Sequence, residues 1–486
     1  MKTEVNGRLL KEWGFPECPD FKDALEMGQR LEAEGCSMKF IKCSVMLLVP
    51  EEKIGMRDTA LPFSEAIEIE GPYDAENLAS VRKLMGELMR CPVVKSGTLM
   101  PDACPAGMQE ATIPVGGGIV VDNAIIPAAH SADICCSMYA TFFESDDDIS
   151  DLLDRAKSCT HFGKGGRRKS GKINHEVLDL DVWDNDFLRG LQDMAALQLG
   201  TQGDGNHFLY FGRIQITETL IDELITNGYQ NLSVMLGMYK DQELRVMVTH
   251  HGSRGFGANV FKRGADAAKR LTNRIAKDIP KACQWIPYDT KEGKDYWDAL
   301  QYVAVWTRVN HQVLHGRILG SKAIASIGNE HNFVWKRGTD FYHGKGATPA
   351  WPMNGRTKSL GIIPMNMKDG ILLTLGNDNE EYLSFAPHGA GRNMSRTQML
   401  APYKDDEGEI IESKMLRALA KATEGIEARW YSGTADLSET PMGYKPAAQI
   451  INQIKKFNLS QVLGIIYPEG CIMARKFPNH WDKKKK

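Results

Sequence analysis

Amphipathic helices and short apolar strands follow one another along this chain without the regular strand–helix–strand repeat of a doubly wound sheet. Apolar residues spaced three and four apart predict helices over 21–35 and 74–90, the second with Asp74 as a candidate N-cap. Short β-branched or apolar runs predict strands at 44–50 and 117–126. No repeat of fixed period and no long Pro- or Ser-rich linker divides the chain. This organisation predicts an α+β fold.

Four further segments extend the same mixture into the second half of the chain. Residues 243–257 predict a strand that runs into a Gly-rich turn, and residues 294–318 predict one long helix. Helices are also predicted over 446–457 and around 415–425. Helices and strands are therefore expected throughout the chain rather than in separate halves.

The overall composition is that of an ordinary globular protein. Hydrophobic residues make up 42% and charged residues 25% of the 486 residues, and both values are typical of soluble domains. Length alone suggests about three domains. A mean hydropathy of −0.33 and the lack of an apolar run of about 18 residues argue against a membrane span. The first residues contain no apolar signal core, so we expect a cytoplasmic location and no membrane partner.

Neither the net charge nor the cysteine content identifies a partner. The chain has 59 basic and 62 acidic side chains and a net charge of −3, which does not mark a nucleic-acid-binding protein but leaves room for a local basic patch. Its ten cysteines are scattered, and without a secretion signal we expect free thiols or metal ligands rather than disulfides. Cys135 and Cys136 form the one adjacent pair.

Two segments are strongly basic. Residues 163–172 are rich in Gly, Lys and Arg, so this loop is interpreted either as a phosphate-binding segment or as an ordinary solvated loop. The chain ends in four lysines at 483–486, and a terminal block of like charge is typical of a frayed, solvated end.

Histidines in this chain stand beside Asn or Gly-rich turn residues. Such segments are 203–212, 248–257, 328–335 and 386–396, and the segment 130–139 supplies Asp and Cys. Metal sites need donors that are held rigidly, with other atoms orienting each ring. A set of Asp, Cys and His suits Zn, Mn, Fe or Co. The residues alone leave two interpretations open, a shared metal site or separate structural histidines.

A second histidine pattern lies on the predicted long helix. His311 and His315 are four residues apart, so their rings share one helix face. No Glu follows the first His, which excludes the zinc-protease motif. We expect a packing or surface role for this pair.

From about residue 99 onward, the histidine-bearing segments resemble, in order, the signature blocks of the RtcB family of RNA ligases. The matching blocks are Asp133-Ile134-Cys135-Cys136, Gly205-Asn206-His207-Phe208, His250 to Gly255, His331-Asn332 and His388 to Arg396. Cys135 stands at a family Asn position, and His251 replaces a family Ser. The block that begins at His388 matches the family pattern His-Gly-Ala-Gly-Arg-x-Met-Ser-Arg throughout, which makes it the most specific of the five.

The resemblance implies a metal-dependent phosphoryl-transfer site. The implied ligands of one or two manganese ions are Asp133, Cys136, His207, His250 and His331. His388 is the implied catalytic residue, attacking the α-phosphate of GTP to give a histidine–GMP intermediate, and a neutral imidazole is a competent nucleophile near pH 7. The implied nucleotide contacts are Asn206, His207, His331, Asn332, Asn366, His388, Gly389, Ala390, Gly391 and Tyr444.

The activity that the resemblance implies is the joining of an RNA 2′,3′-cyclic phosphate or 3′-phosphate end to an RNA 5′-hydroxyl, as in RNA repair and tRNA splicing. The implied partners are these RNA ends, a nucleoside triphosphate and an activating helper protein. The implied fold is one large catalytic domain with mixed and antiparallel sheets surrounded by helices. Residues 99–486 form the implied catalytic region, and residues 1–98, which match the family weakly, are expected to be continuous with it.

The chain departs from the family pattern mainly where the family recognises the base. Tyr210 stands at the position of a guanine-reading Glu. In the family's early block Pro-Asp-x-His-x-Gly, Asp102 is retained and Cys104 stands at the His position, whereas a family Lys-Gly-Ala block is matched by Lys345-Gly346-Ala347. The family block Pro-Gly-Ser-Met-Gly is reduced to residues 364–368. The family's C-terminal Lys is out of register, and Arg475 is the nearest cation. Guanine specificity is therefore a weaker inference than metal-assisted phosphoryl transfer.

These departures keep two other functions open. One is a nucleotidyltransferase or RNA-end-healing enzyme with altered nucleotide specificity, because Tyr cannot accept the two hydrogen bonds that a Glu accepts from guanine. The other is a non-catalytic RNA-binding relative, against which the retention of His388 argues. Arg254, Arg392 and Arg396 are candidates either for phosphate binding in forked geometry or for structural ion pairs.

Overall fold

The computed structural model describes residues 4–18, 20–49, 53–106, 112–433 and 435–474, except for the side chain of Arg396. The chain divides into two compact units. The first contains residues 1–55 and 273–278, and the second contains residues 56–272 and 279–486.

Helices and strands alternate irregularly along the described residues. The helices are α1 (Gly7–Glu12), α2 (Phe21–Ala33), α3 (Met38–Met46), α4 (Pro72–Leu88), α5 (Ile149–Cys159), α6 (Gln192–Gln198), α7 (Glu218–Thr226), α8 (Gln230–Gly237), α9 (Arg254–Ile275), α10 (Lys291–Leu319), α11 (Arg396–Leu400), α12 (Glu412–Ala422) and α13 (Ala447–Lys456). The strands are β1 (Ser64–Glu65), β2 (Val94–Cys104), β3 (Val115–Asp122), β4 (Ala124–Ile125), β5 (Ser137–Phe143), β6 (Phe208–Gln215), β7 (Glu243–His251), β8 (Ile286–Pro287), β9 (Ala323–Glu330), β10 (Asn332–Arg337), β11 (Asp340–Lys345), β12 (Ala347–Pro349), β13 (Leu360–Asn366), β14 (Gly370–Gly376), β15 (Phe385–Pro387), β16 (Glu427–Trp430) and β17 (Ser460–Met473). Over the described part of the chain, no helix combines the length and the apolar character that crossing a bilayer requires.

The first unit packs α1, α2 and α3 around a small apolar core. Its buried residues are Val5, Leu10, Phe15, Ala24, Leu31, Ile41 and Val45. The strand predicted over 44–50 is wrong, because residues up to Met46 belong to α3. Ile41 and Val45 are four residues apart, so a helix turns both toward the core. Ser37 caps this helix by accepting a hydrogen bond from the N–H of Phe40 at 3.4 Å.

The second unit is built on two larger sheets. One has the order β1-β2-β3-β11-β10, and the other has the order β13-β14-β17-β6-β7-β5-β9, with β16 beside β17. The pairs β1–β2 and β16–β17 are parallel, and the other strand pairs of the described residues are antiparallel. The predicted α+β class, with mixed sheets flanked by helices, is confirmed. The predicted division of the chain into residues 1–98 and 99–486 falls within β2, which continues through residue 98. This domain division stays a prediction.

Most of the predicted elements occur in the structure. The helices predicted over 21–35, 294–318, 446–457 and around 415–425 are confirmed as α2, α10, α13 and α12. The run predicted as one strand over 117–126 is divided into β3 and β4 at Asn123, which has a φ of 43°. In the segment 243–257, β7 is confirmed, and Gly252 follows it directly, but Gly255 and Gly257 lie in the first turn of α9.

The helix predicted over 74–90 is confirmed as α4, but the prediction that Asp74 is its N-cap is wrong. Gly71 is the N-cap, and Pro72 occupies the first helical position. The carboxylate of Asp74 is buried and accepts hydrogen bonds from the Glu70 N–H at 3.3 Å and from Gln449 Nε2 at 2.6 Å. It therefore stabilises the packing of α4 against α13.

Candidate metal centre and adjoining cavity

Four neighbouring strands of the large sheet bring predicted metal donors together at one end of these strands. Cys136 directly precedes β5 and His207 directly precedes β6, whereas His250 lies near the end of β7 and His331 directly follows β9. The order β6-β7-β5-β9 is antiparallel throughout. Because antiparallel neighbours run in opposite directions, the beginnings of β5 and β6 meet the ends of β7 and β9. The sheet thus gathers donors from segments that are far apart in the sequence.

Asp133 joins these donors through a tight turn that ends at Cys136. Cys135 has a φ of 54°, and its N–H donates to the carbonyl of Asn332 at 2.8 Å. Gly252 lies so close to the Asp133 carboxylate that a Cβ on Gly252 would collide with it. The turn and the glycine together fix the carboxylate beside the thiol.

The potential ligand atoms form two groups of three that share Cys136. Within each group, Cys136 with His250 and His331, or Cys136 with Asp133 and His207, the ligand atoms lie within 4.8 Å of one another. His250 Nε2 is 3.1 Å from Cys136 Sγ and 3.2 Å from His331 Nε2. His207 Nε2 is 3.0 Å from Asp133 Oδ2 and 3.8 Å from Cys136 Sγ. Two overlapping groups suit either one ion or two.

Burial sets the protonation states of these donors. It lowers the pKa of His250 to about 3 and the pKa of His331 well below its ordinary value, so both rings are neutral near pH 7. Burial alone would raise the pKa of Asp133, but His207 outweighs it and holds this pKa below its ordinary value. Burial and the nearby Asp133 carboxylate raise the pKa of the Cys136 thiol well above its ordinary value. A metal ion that binds here therefore has to displace the thiol proton.

This donor set fits a divalent transition metal. Neutral imidazoles, a carboxylate and a thiol that becomes a thiolate on binding are ligands of Zn, Mn, Fe and Co. The Nδ1 of His250 is 3.3 Å from the Asn206 carbonyl, an outer contact of the kind that orients a ligating ring. Its Nε2 consequently points at Cys136 and His331.

His388 lies beside this cluster, directly after β15. Its ring centroid is 4.8 Å from that of His331. Its Nδ1 is 2.5 Å from Oδ2 of Asp102, which is fully buried on β2, and its backbone N–H donates to the same oxygen at 3.3 Å. A carboxylate can only accept, so Nδ1 carries the ring proton and Nε2 holds the lone pair. The pair leaves His388 in the tautomer that a nucleophile needs.

A cavity of about 400 Å³ adjoins the donors and His388. Of the residues predicted to contact the nucleotide, those that line it are Asn206, His331, Asn332, Asn366, His388, Gly389, Ala390, Gly391 and Tyr444. His207, the remaining member of that set, lies among the metal donors. Gly391 has a φ of 72°, and a Cβ there would collide with the backbone of Asp102, so the position requires glycine.

Several polar side chains around the cavity are held by neighbouring groups. Asn332 Oδ1 accepts a hydrogen bond from the Gly346 N–H at 2.8 Å. The Oδ1 of Asn366 accepts from the Asp369 N–H at 2.9 Å, within the turn between β13 and β14. The hydroxyl of Tyr444 donates to Glu439 at 2.9 Å. These contacts fix the shape of the polar wall before any nucleotide binds.

Tyr210 and Cys104 are two of the cavity residues at which the family pattern is lost. Tyr210 is buried, and its hydroxyl donates to the carbonyl of Ile466 at 2.8 Å rather than into the cavity. Cys104 is also buried, and burial raises the pKa of its thiol. The Tyr210 position therefore presents no carboxylate to a bound base.

Asp102, Lys345 and Glu439 belong to the site but are missing from the predicted site residues. Asp102 has a sequence signal, because it is retained in the family's early Pro-Asp block. Lys345 has one in the matching Lys-Gly-Ala block, and in the structure its Nζ donates to the Thr112 hydroxyl at 2.8 Å. Burial lowers the pKa of Lys345 to about 8. Glu439 lies in a segment without a motif and is found by its position on the cavity wall.

Two of the three arginines considered for phosphate binding, Arg254 and Arg392, donate hydrogen bonds to backbone carbonyls. Arg254 donates to the carbonyls of Gly163 and Gly165 at 3.0 and 3.2 Å, so it fastens the predicted basic loop to the start of α9. Arg392 lines the cavity and donates to the carbonyl of Ser438 at 2.9 Å. The side chain of Arg396, the whole of Arg475 and the lysine tail at 483–486 lie outside the described residues.

His311 and His315 do not join the metal donors, and their predicted packing role is confirmed. Both rings are buried on α10 behind the sheet. The hydroxyl of Thr249 lies between them, 2.7 Å from His311 Nδ1 and 2.8 Å from His315 Nε2. This bridge ties α10 to β7 one residue before His250.

Comparisons with known proteins agree with this arrangement. The family model for the tRNA-splicing ligase RtcB matches residues 184–474, which is more than half of the chain. The tRNA-splicing ligase RtcB of Nanoarchaeum equitans is 27% identical over 451 residues, covering 78% of this chain and 88% of the relative. That of Aeropyrum pernix is 25% identical over 500 residues, covering 88% of this chain and 97% of the relative. The chain belongs to the RtcB family.

Proposed function

We propose that this protein is a metal-dependent RNA ligase that joins a 2′,3′-cyclic phosphate or 3′-phosphate RNA end to a 5′-hydroxyl end through a nucleotide carried on His388. The observation that carries the proposal is the position of His388. Its ring is fixed by the buried Asp102 on one side, and it lies 4.8 Å from the ring of His331, a potential metal ligand, on the other. A nucleophile beside a metal centre is the arrangement that phosphoryl transfer needs.

In the first step, Nε2 of His388 attacks the α-phosphorus of a nucleoside triphosphate, and pyrophosphate leaves. The proton on Nδ1 stays with the hydrogen bond to Asp102, which stabilises the ring as positive charge develops. An oxygen of the RNA 3′-phosphate then attacks the same phosphorus, and His388 leaves. The RNA 5′-hydroxyl finally attacks the activated 3′-phosphate, and the nucleoside monophosphate leaves. A cyclic phosphate end must first take up one water molecule.

Asp133, Cys136, His207, His250 and His331 are the residues that would hold the metal. A bound manganese ion would neutralise charge on the phosphoryl oxygens. Gly389 and its neighbours line the cavity next to His388, where backbone N–H groups can approach phosphate closely. Manganese, GTP, the histidine–GMP intermediate, an activating helper protein and a cytoplasmic location belong to this proposal as the family pattern suggests them.

One observation favours a second candidate, a related nucleotidyltransferase or end-healing enzyme that uses another nucleotide. The hydroxyl of Tyr210 is bound to Ile466, so no carboxylate at this position reads guanine. A site built for guanine loses much of its discrimination when such a carboxylate is missing.

The experiment is covalent labelling of the purified protein with α-³²P-labelled GTP, ATP, CTP or UTP in the presence of Mn²⁺. We expect an acid-labile label on the wild-type protein and none on His388→Ala. A label with a nucleotide other than GTP, or cyclic-phosphate opening without joining, would select the second candidate. No label with any nucleotide, together with no opening of a cyclic phosphate, would overturn both candidates and leave a non-catalytic RNA-binding role. An equal label on His388→Ala would overturn the proposal that His388 carries the nucleotide.

A further inference from the structure

A groove of about 860 Å³ runs from the candidate metal centre along α9. Asp133 and Lys345 line both this groove and the cavity beside His388, so the two spaces meet at the metal centre. No step of the proposed chemistry uses the rest of the groove. Its other walls are the turn around Ser131 and the segment that contains Lys281.

Three exposed lysines stand on the rim of this groove, Lys262 and Lys269 on α9 and Lys281 opposite them. Lys262 and Lys269 are seven residues apart, so they share one face of the helix at a separation of about 10 Å along its axis. Within the part of the chain that the structure describes, none of the three forms an ion pair. Asp266 is the one exposed carboxylate among the lining residues.

Phe261 provides an aromatic surface in the same groove. Its side chain is half-buried and packs edge-on against the ring of His130, with 6.2 Å between the centroids. Basic side chains that follow a backbone, together with an aromatic face on which a base can stack, are the features of grooves for single-stranded nucleic acid. A double helix would present its bases to each other rather than to Phe261.

We propose that this groove binds the single-stranded segment of RNA that adjoins the reacting end and leads that end to the metal centre. Lys262, Lys269 and Lys281 contact its phosphates, and Phe261 stacks on a base. The inference rests on the proposed function, because only an RNA end that reacts at the metal centre would direct the RNA strand along the groove toward Asp133. It adds a binding surface beyond the nucleotide cavity, which the groove meets at Asp133 and Lys345.

The test measures the binding of a fluorescent, unstructured RNA of about 12 nucleotides to the full-length protein by polarisation, between about 50 and 200 mM NaCl. The variant K262Q/K269Q/K281Q removes the three charges. The matched control K83Q/K157Q/K421Q removes three exposed lysines of α4, α5 and α12, which do not line the groove. Both variants change the net charge equally, and their thermal unfolding is compared with that of the wild type.

Each phosphate contact on a single strand contributes about 0.7 to the slope of log affinity against log salt. We therefore expect the groove variant to reduce this slope by about 2 and the control variant to leave it unchanged. Phe261→Leu, which keeps an apolar side chain, should weaken binding at least about fivefold for the single strand and leave a duplex unaffected.

Equal effects of the two triple variants, or no effect of either, would overturn the proposal and would leave the groove as a surface for another partner, such as an acidic protein. The polarisation assay needs no nucleotide. If the wild-type protein is not labelled at His388, the proposed function is refuted, but RNA binding can still be measured. Failure of the proposed function and failure of the RNA-groove proposal are therefore distinguishable.

Discussion

The contact between His388 and Asp102 makes the proposed role of His388 as the nucleophile testable through a residue that does not line the proposed nucleotide cavity. Asp102→Asn keeps the size of the side chain and removes its charge. The backbone N–H of His388 donates to the same carboxylate oxygen as the ring does. An acceptor is therefore required at that point, and the Asn oxygen takes the place of Oδ2. The ring keeps its proton on Nδ1, and a neutral hydrogen bond replaces the charge-assisted one.

The size of the effect follows from that replacement. A hydrogen bond to a charged group contributes about 1.5–3 kcal/mol and a neutral one about 0.5–1.5 kcal/mol, so the difference is about 1–1.5 kcal/mol. Each 1.4 kcal/mol of barrier corresponds to about tenfold in rate, so we expect His388 to be labelled about 5- to 12-fold more slowly in Asp102→Asn. A reversed tautomer would remove the lone pair from Nε2 and abolish labelling, so a partial loss distinguishes the two effects.

The assay is single-turnover labelling with saturating nucleotide and Mn²⁺, together with metal analysis and thermal unfolding of each variant. Asp148→Asn, the same change at the N-cap of α5, is the matched control, and His388→Ala sets the background. Metal content should be unchanged in Asp102→Asn, because the five potential ligands are intact. A folded Asp102→Asn protein that is labelled within twofold of the wild-type rate would refute the reasoning.

Three other predictions concern the metal, the base and the buried histidines. Cys136→Ser should weaken Mn²⁺ binding at least about 100-fold in calorimetry, because it removes the ligand shared by both groups, whereas a similar loss in Cys135→Ser would contradict this assignment. Tyr210→Glu should raise the ratio of GTP to ATP labelling at least about tenfold, and an unchanged ratio would show that the base binds elsewhere. Burial lowers the pKa of His315 to about 3 from 6.5. Since the unfolded ring takes up a proton below pH 6.5 and the folded ring does not, the free energy of unfolding should fall by about 1.4 kcal/mol per pH unit from this residue as the pH drops toward 3. His315→Gln should reduce the slope of the unfolding free energy against pH by about 1.4 kcal/mol per pH unit, the contribution of one proton, in chemical denaturation. An unaltered slope would show that His315 does not contribute to the pH dependence.

The sequence predicted long helices better than short apolar elements. In α10, apolar residues recur at helical spacing over many turns, and the predicted range lies within the observed one. The run 44–50 is apolar but short, and such a run does not distinguish a strand from the end of a helix. Tertiary packing decided the outcome, because Ile41 and Val45 fill the core of the first unit only when the segment is helical.

Which residues come together in the site could not be predicted from the residue pattern alone, because their contacts join segments that are far apart in the sequence. Four histidine-bearing segments and the segment that supplies Asp133 and Cys136 were visible, but the meeting of the metal donors is a property of the strand order β6-β7-β5-β9. The family resemblance supplied that grouping. Asp102 was noticed as a retained residue but not as the partner of His388, because β2 and the segment after β15 are nearly 300 residues apart and share no local signal.

The two halves of the site differ in how strongly the fold constrains them. Four of the five potential metal ligands stand at the ends of β5, β6, β7 and β9, where a shift of one residue in register would turn each of them to the other face of the sheet. These ligands cannot change position unless the pairing of the strands changes as well. The wall of the proposed nucleotide cavity combines strand residues with residues of turns and loops, such as Gly389 and Tyr444. Tyr210 is one of the strand residues, since it lies on β6, and its hydroxyl donates to a backbone carbonyl of β17. With its hydroxyl engaged by the backbone, Tyr210 offers a base no carboxylate acceptor, so in the proposed function nucleotide choice can differ from the family pattern while the proposed chemistry at His388 is kept.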